Sequence, residues 1–199
     1  MLVRVTLTAA LTGLLFGMDL GVMGGALLDL RDSLDTQVWT EQLIVGSAKL
    51  GAVFGAALGG AAMLAKGRRW ALLLDAVAYV LGPALQAIPP ASLAVPFLVV
   101  GRLVTGVGIG MSAVCVPVYL GELAPARRRG LVVSSYEVAL TLGALLAALC
   151  SAAIQQAGLG WRAQLAAPLL PALVLLALAP GLPESPRWLV TRGRMDEAL

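Results

Sequence analysis

The chain has 199 residues, of which 59% are hydrophobic and 13% charged, and its mean hydropathy is +0.91. A soluble domain averages about 45–50% apolar and about 25% charged residues, so this composition predicts a membrane protein. The sequence contains no histidine, which excludes serine–histidine and cysteine–histidine catalytic pairs and histidine metal sites. It also lacks paired catalytic carboxylates and a phosphate-binding loop, so we expect a non-enzyme without metal, cofactor or nucleic-acid partner.

Six apolar segments are long enough to cross a bilayer, which takes about 20 residues. In chain order they cover residues 5–28, 41–65, 70–88, 93–120, 131–154 and 163–182. A signal peptide at the amino terminus is disfavoured because the first apolar stretch is too long and contains Asp19. We predict an all-α membrane protein with a six-helix transmembrane bundle at residues 1–182 and a polar tail at residues 183–199.

Basic residues fall mainly on one side of this predicted bundle. Ten of the 14 Lys and Arg residues lie at the amino terminus, in the second and fourth loops and in the tail, whereas Arg31 and Arg162 lie opposite. Cytoplasmic loops of membrane proteins are enriched in Lys and Arg. We therefore expect both termini in the cytoplasm and an acidic exterior loop that contains Asp29, Asp32 and Asp35.

Four charged residues fall deep inside predicted spans: Asp19, Lys49, Arg102 and Glu137. A charge in the membrane costs at least about 2.5 kcal/mol, so each should face a partner or a watery cavity. Asp19 and Arg102 lie at similar depth in the exterior half, which predicts that they meet. A carboxylate beside a guanidinium suits a proton site, and a static ion pair explains the two residues equally well. The sequence indicates no partner for Lys49.

Three polar residues of the predicted spans lie nearer the cytoplasmic side. Glu137 and Thr141 are four residues apart on the fifth span, so they share a helix face. A carboxylate beside a hydroxyl suits a ligand with several hydroxyl groups, although an interhelical hydrogen bond would also explain them. Asp75 lies one to two turns inside the third span, where we expect it to pair with Arg68 or Arg69.

Glycines repeat every four residues on two of the predicted spans. Gly51, Gly55 and Gly59 form such a stripe on the second span, and Gly106 and Gly110 form one on the fourth. A stripe of small residues lets a neighbouring helix approach closely in any membrane bundle. The stripes therefore predict helix packing and indicate no particular function.

The loops carry the most specific pattern. Within GRLVTGVGIGMSAVCVPVYLGELAPARRRG, the order Pro-x-Tyr, Glu, Pro and Arg-Gly falls on Pro117, Tyr119, Glu122, Pro125, Arg129 and Gly130. Three more motifs occur in the order that the same pattern requires: GRR after the second span, GWR before the sixth and LPESPRWLVTRGR after the sixth. Together these motifs strongly resemble the amino-terminal half of the sugar porters of the major facilitator superfamily.

This resemblance implies a transporter of two six-helix bundles, with the sugar bound between them and access alternating across the membrane. The expected function is transport of a monosaccharide or polyol across the plasma membrane or an organelle membrane, with proton symport favoured. The alternatives are a facilitative uniporter, and a truncated half-bundle that modulates a full-length relative. The carboxyl-terminal half would be missing, so this chain would be a fragment, a short isoform or a truncated gene model that ends in a cytoplasmic linker.

The resemblance also assigns roles to individual residues. Asp19 and Arg102 would couple the proton, and Glu137 would contact the sugar, with Thr141 added to this site because it shares the helix face. A cytoplasmic salt-bridge network would consist of Arg68, Arg69, Glu122, Arg129, Glu184 and Arg187. The family's loop usually reads Asp-Arg-x-Gly-Arg-Arg, but its first two places here hold Leu64 and Ala65, so one gating contact is expected to be absent.

Overall fold

A computed structural model describes residues 2–34 and 37–198 of the chain, and this part is almost entirely helical, with no β-strand. Its helices are α1 (Leu2–Leu34), α2 (Val38–Lys66), α3 (Arg68–Ala87), α4 (Ala94–Leu123), α5 (Arg129–Gln156), α6 (Gly160–Ala166), α7 (Leu169–Leu178), α8 (Pro186–Thr191) and α9 (Met195–Ala198). Short 3₁₀ turns precede α4 and α5 and follow α7. The predicted all-α fold is confirmed.

Six segments of the described chain are long and apolar enough to span a membrane, as the sequence predicts. Helices α1 to α5 supply one span each, and α6, α7 and the turn after α7 form the sixth, Gly160–Gly181. This last span is interrupted between α6 and α7. Pro168 and Pro171 have no backbone N–H to donate, so the helical hydrogen-bond ladder breaks at this point.

Helix α1 is longer than the apolar pattern predicts. The expected exterior loop begins at Asp29, but α1 continues to Leu34 and α2 already begins at Val38. Leu30 is fully buried and anchors the additional turn, while the neighbouring Asp32 is exposed. The helix continues past the apolar segment because the backbone N–H and C=O groups of the polar residues still form intrahelical hydrogen bonds. The third acid of the predicted loop, Asp35, lies outside the described residues.

The bundle is built from helix pairs in close contact, with α2 on α4, α1 on α5 and α3 on α4. A Cβ added at Gly55 of α2 would lie 2.1 Å from the Val107 carbonyl oxygen, and one at Gly110 of α4 would lie 2.0 Å from that of Ala52. No side chain fits at such distances, so α2 and α4 interlock through their glycines. The close packing predicted from the two glycine stripes is confirmed.

Helices α1 and α5 approach each other in the same way. A Cβ at Gly17 would lie 1.8 Å from the carbonyl oxygen of Leu140 on α5. The signal was present in the sequence as glycines repeated every four residues from Gly13 to Gly25. This repeat has the same meaning as the stripe on α2, but the contact of α1 with α5 was not predicted.

The apolar side chains divide between the interior and the outer surface of the bundle. Buried clusters include Leu72 and Tyr119 towards α8, Ile44 and Leu98 towards the opposite end, and Leu15 between them. The outer faces of α2 and α5 carry exposed Leu50, Val53, Phe54, Leu58, Leu142, Leu145, Leu146 and Leu149. Such a surface suits a bilayer or an apolar neighbour, since lipid imposes no cost on exposed hydrocarbon.

Candidate functional site

An ion pair lies in the middle of the bundle, between α1 and α4. The Nη1 group of Arg102 donates a hydrogen bond to Oδ1 of Asp19, and the residues are only 5% and 7% exposed. The Nε atom of Arg102 has no hydrogen-bond partner within the described part of the chain. The structure thus brings together the two deep charges that the sequence placed at similar depth.

The packing of the two helices positions this pair. Gly17 and Gly21 of α1 pack against α5, and Asp19, lying between them in sequence, therefore points to the opposite side of α1, towards α4. On α4, Arg102 lies one turn before Gly106, on the face that packs against α2. From this face its guanidinium reaches the carboxylate on α1.

A cavity of about 380 Å³ opens beside the pair, between α1, α2 and α4. Its lining consists of Asp19, Lys49 and Arg102 together with Phe16, Leu20, Met23, Val45, Ala48, Ala52 and Ile109. Lys49, for which the sequence indicates no partner, is exposed and lines this cavity. Two basic residues and one acidic residue therefore converge on a cavity that is otherwise apolar.

Glu137 and Thr141 lie on an exposed face of α5, as their helical spacing predicts. The Thr141 hydroxyl donates to the backbone carbonyl of Glu137 over 3.0 Å, so this bond lies within one helix. Neither residue lines the cavity beside Asp19. The Glu137 side chain is exposed on this face of the bundle, where its carboxylate is accessible to a ligand or a neighbouring segment.

A second polar site lies at the end of the bundle where α3 begins and α4 ends. Arg68 and Glu122 form a two-pronged ion pair, with Nε–Oε2 and Nη2–Oε1 distances of 2.9 and 2.7 Å. Their side chains are 14% and 10% exposed. The planar guanidinium matches the carboxylate in this geometry, which makes the contact stronger than a single hydrogen bond.

Glu184, which follows the sixth span, closes this site from the other side. Its Oε1 accepts a hydrogen bond from the backbone N–H of Arg68 over 2.7 Å, and the N–H of Arg69 also points at the carboxylate. Gly67 makes the approach possible, since its φ is 98° and a Cβ there would lie 2.2 Å from Oε2 of Glu184. The Arg69 guanidinium binds the carbonyl of Pro180 over 2.6 Å.

Arg129 and Arg187 do not join this site, contrary to the network that the resemblance implies. Both are exposed, and neither has an ion pair or side-chain hydrogen bond among the residues the structure describes. The physical reason is that the carboxylates are already occupied. The backbone N–H of Ser185 also donates to Glu184, and the Ser185 hydroxyl donates to Glu122.

Two contacts of the tail escaped the sequence interpretation. Ser185 caps α8 by accepting a hydrogen bond from the Trp188 N–H, and this role was visible as a serine immediately before Pro186. Arg192 donates to the backbone carbonyls of Leu64 and Ala65, both over 2.9 Å. This second contact had no sequence signal, because backbone carbonyls occur at every position.

Asp75 on α3 is fully buried, and within the described chain neither of its carboxylate oxygens has a hydrogen-bond partner. The predicted pairing with Arg68 or Arg69 is therefore wrong. Arg68 is held by Glu122, and Arg69 turns towards the Pro180 carbonyl, so neither guanidinium extends into the bundle.

These features define an integral, multi-pass membrane protein with one six-helix half of a major facilitator fold. A solved structure of the "MFS (major facilitator superfamily) proton:xylose symporter XylE bound to 6-bromo-6-deoxy-D-glucose" matches 99% of this chain with a TM-score of 0.92 and 33% identity. This chain covers 48% of that protein. The XylE transporter from E. coli in a partially occluded inward-open conformation gives a TM-score of 0.89 over the same share of this chain.

The family profile described as "Sugar (and other) transporter" matches residues 5–199. "Probable inositol transporter 2" of Arabidopsis thaliana is 41% identical over 198 residues, covering 98% of this chain and 34% of that protein. The "Arabinose-proton symporter" of Escherichia coli K12 is 38% identical over 194 residues, covering 98% of this chain and 40% of that protein. The chain therefore belongs to the sugar transporter family, as its motifs predict.

The chain spans about a third to two fifths of the length of these relatives. All of the named proteins are transporters, which supports the prediction that this chain is not an enzyme. Within the described residues, no group of three or more Cys, Asp or Glu side chains could hold a metal ion.

Proposed function

We propose that this chain forms the amino-terminal half of a sugar or polyol transporter that works by alternating access and carries a proton with its substrate. The family, the fold and the proton-coupled relatives support this function. The single observation that carries the proton coupling is the buried contact between Asp19 and Arg102 beside an open cavity.

The chemistry of this contact suits proton exchange. With Arg102 in place, the Asp19 carboxylate is balanced by a cation. A conformation that separates the two would leave a carboxylate in apolar surroundings, where the protonated form is favoured. One proton would therefore be taken up when the pair opens and released when it forms again, in step with alternating access.

The substrate would lie between this bundle and a second six-helix half, against the face that carries Glu137 and Thr141. A carboxylate accepts hydrogen bonds from the hydroxyl groups of a monosaccharide or polyol. Replacing Glu137 by Ala should weaken sugar binding by about 1–3 kcal/mol. An unchanged affinity in the folded variant would remove this residue from the binding site.

The basic loops and tail support a cytoplasmic location for both termini, with residues 183–199 as the start of a linker between the halves. In this orientation Arg68, Glu122 and Glu184 form a cytoplasmic gate that holds the outward-facing state. Cysteines introduced at Asp32 and Asp196 should react with impermeant reagents from opposite sides of the membrane. Labelling of both from one side would overturn the orientation.

The decisive experiment replaces Asp19 by Asn in the full-length transporter that contains this bundle. The amide keeps the shape of the side chain but cannot take up the coupled proton. In proteoliposomes the variant should lose sugar accumulation driven by a pH gradient, while substrate exchange persists. The matched control is Asp32→Asn, which removes an exposed acid from the same helix and should transport normally.

Two results would contradict this function. If Asp19→Asn still accumulates sugar against its gradient, the pair with Arg102 is structural and coupling occurs elsewhere. If the unmodified transporter equilibrates sugar but never accumulates it under a proton gradient, the protein is a facilitative uniporter.

A further inference from the structure

Asp75 is a second buried acid that the proposed transport mechanism does not use. Its residue exposure is 0%, and both carboxylate oxygens lack hydrogen-bond partners within the described residues. On the side of α4 it faces Gly108, where Oδ1 lies 3.5 Å from the position that a Cβ would occupy. An ionised carboxylate in this place would have neither water nor a cation, a state that proteins avoid.

The groups around this carboxyl are polar but uncharged. Tyr79, one turn further along α3, lies within 3.2 Å of the Ser112 hydroxyl on α4. Tyr136 of α5 is 2% exposed, and its hydroxyl also has no partner in the described structure. Cys115 of α4 is a buried free thiol. Helix α7, packed on another side of α3, reads LLPALVLLAL and carries no titratable side chain.

The charges on the packed helices are engaged elsewhere or lie at helix ends. Arg102 and Asp19 neutralise each other, and Lys49 opens into the cavity beside them. Lys66 is the last residue of α2, and Arg162 of α6 binds the Pro89 carbonyl.

Of the two cations on α3, Arg68 is the one that shares the helix face of Asp75. The two residues are seven positions apart, or two turns on one face of α3, which corresponds to a rise of about 10 Å. In this structure the guanidinium is turned away and bound to Glu122. If that contact opened, Arg68 would become free to balance a charge on Asp75.

We propose that Asp75 is a second proton-binding site, which holds a proton in this conformation and releases it when Arg68 is freed from Glu122. The proton passes from the Asp75 carboxyl to water entering from the gate, and the carboxylate left behind is balanced by Arg68. Glu122 stays ionised and becomes hydrated. The bound proton is a property of the bundle itself, whereas its release on gate opening rests on the proposed transport function.

Infrared spectroscopy of the purified chain in a detergent that contains no C=O group tests the bound proton directly. A protonated carboxyl group has a C=O stretching band separate from those of carboxylates and amides. At neutral pH the native chain should show this band, and Asp75→Asn should lose it. Asp19→Asn should keep the band, because the Asp19 carboxyl group forms an ion pair with Arg102.

The outcomes of this measurement separate the possibilities. Absence of the band in the native chain, or its loss in Asp19→Asn instead, overturns the assignment to Asp75. An amide closely resembles a neutral carboxylic acid in shape, so Asp75→Asn should fold with unchanged helix content. Failure of this variant to fold would show that the ionised form is required, which also overturns the proposal.

The link to the gate is tested with Glu122→Gln, which weakens the hold on Arg68. Its Asp75 band should disappear at a pH about 1–3 units lower than in the native chain, as expected when a cation comes near a carboxyl group. Glu197→Gln, which removes an acid from the exposed tail, should titrate like the native chain. An unshifted titration in Glu122→Gln rejects the link but leaves the bound proton and the transport function untouched.

Discussion

The ion pairs Arg102–Asp19 and Arg194–Glu197 have the same chemistry in opposite surroundings. The first joins residues 83 positions apart in sequence, on α1 and α4, with side chains 6% and 9% exposed. The second joins neighbours in the tail, with side chains 50% and 57% exposed. Water screens the tail pair, whereas either partner of the buried pair would be stranded without the other. Burial, and not contact geometry, therefore decides which pair the fold depends on.

The comparison is tested most strongly by Arg102→Met. This change leaves the Asp19 carboxylate buried without a cation, which should cost about 3–5 kcal/mol of unfolding free energy. The control is the double variant Arg102→Met/Asp19→Asn, in which no charge is left behind and most of the stability should return. Equilibrium unfolding in detergent micelles measures both. If the unfolding free energy of Arg102→Met were within about 1 kcal/mol of the native value, the buried pair would stabilise the fold no more than an exposed pair does.

Gly106→Ala tests how closely α2 and α4 must pack near the pair. The new Cβ would lie 2.1 Å from the Ala48 carbonyl oxygen, so α2 must move away from α4 close to Arg102. Such overpacking should cost about 1–3 kcal/mol in the same unfolding assay. Gly60→Ala on α2 is the matched control, since among the described residues no heavy atom outside the local turns of α2 lies within 4 Å of its Cβ position. That control should be neutral or slightly stabilising, and an equal loss in both variants would contradict the interlocking of the helices.

Arg68→Lys examines an ion pair of intermediate burial. Lysine keeps the charge but loses the fork that makes two hydrogen bonds to Glu122, so the stability loss should be about 0.5–1.5 kcal/mol. Arg127→Lys, at an exposed position in the turn between α4 and α5, should leave the stability unchanged. If the two substitutions behave alike, the fork geometry contributes nothing.

Arg194→Gln should have the smallest effect. The hydrogen bond from Arg194 lowers the pKa of Glu197 below its ordinary value. Removing the donor should therefore raise the pKa of Glu197 towards that value while thermal stability stays unchanged. Carboxyl NMR titration and thermal unfolding measure the two quantities. A clear drop in melting temperature would show that the exposed tail pair supports the fold after all.

The sequence predicted those features that depend on local pattern or on depth in the membrane. Apolar length gave six spans, and similar depth predicted that Asp19 meets Arg102. Helical spacing placed Glu137 and Thr141 on one face. The α2–α4 interface followed from glycine spacing, and the α1–α5 interface could have followed from the same reasoning.

The prediction failed where partners compete for one side chain. Arg68 was expected near Asp75 because both lie on α3, but it pairs with Glu122, 54 residues away. Sequence spacing records which residues are close along a helix, and it does not record which partner a guanidinium selects. The break in the sixth span at Pro168 could have been predicted, since proline has no N–H to donate to the helical hydrogen-bond ladder.

Arg192 fastens the tail to the backbone carbonyls of Leu64 and Ala65 at the end of α2. Every residue type offers a backbone carbonyl, so substitutions at these two positions leave the acceptors in place. Removal of a single residue before Gly67 would instead rotate the end of α2 by about 100° and carry both acceptors away from the tail. This attachment therefore tolerates substitutions at the two positions but not a change in the number of residues. Proteins that keep the attachment should have no insertion or deletion in this part of the chain.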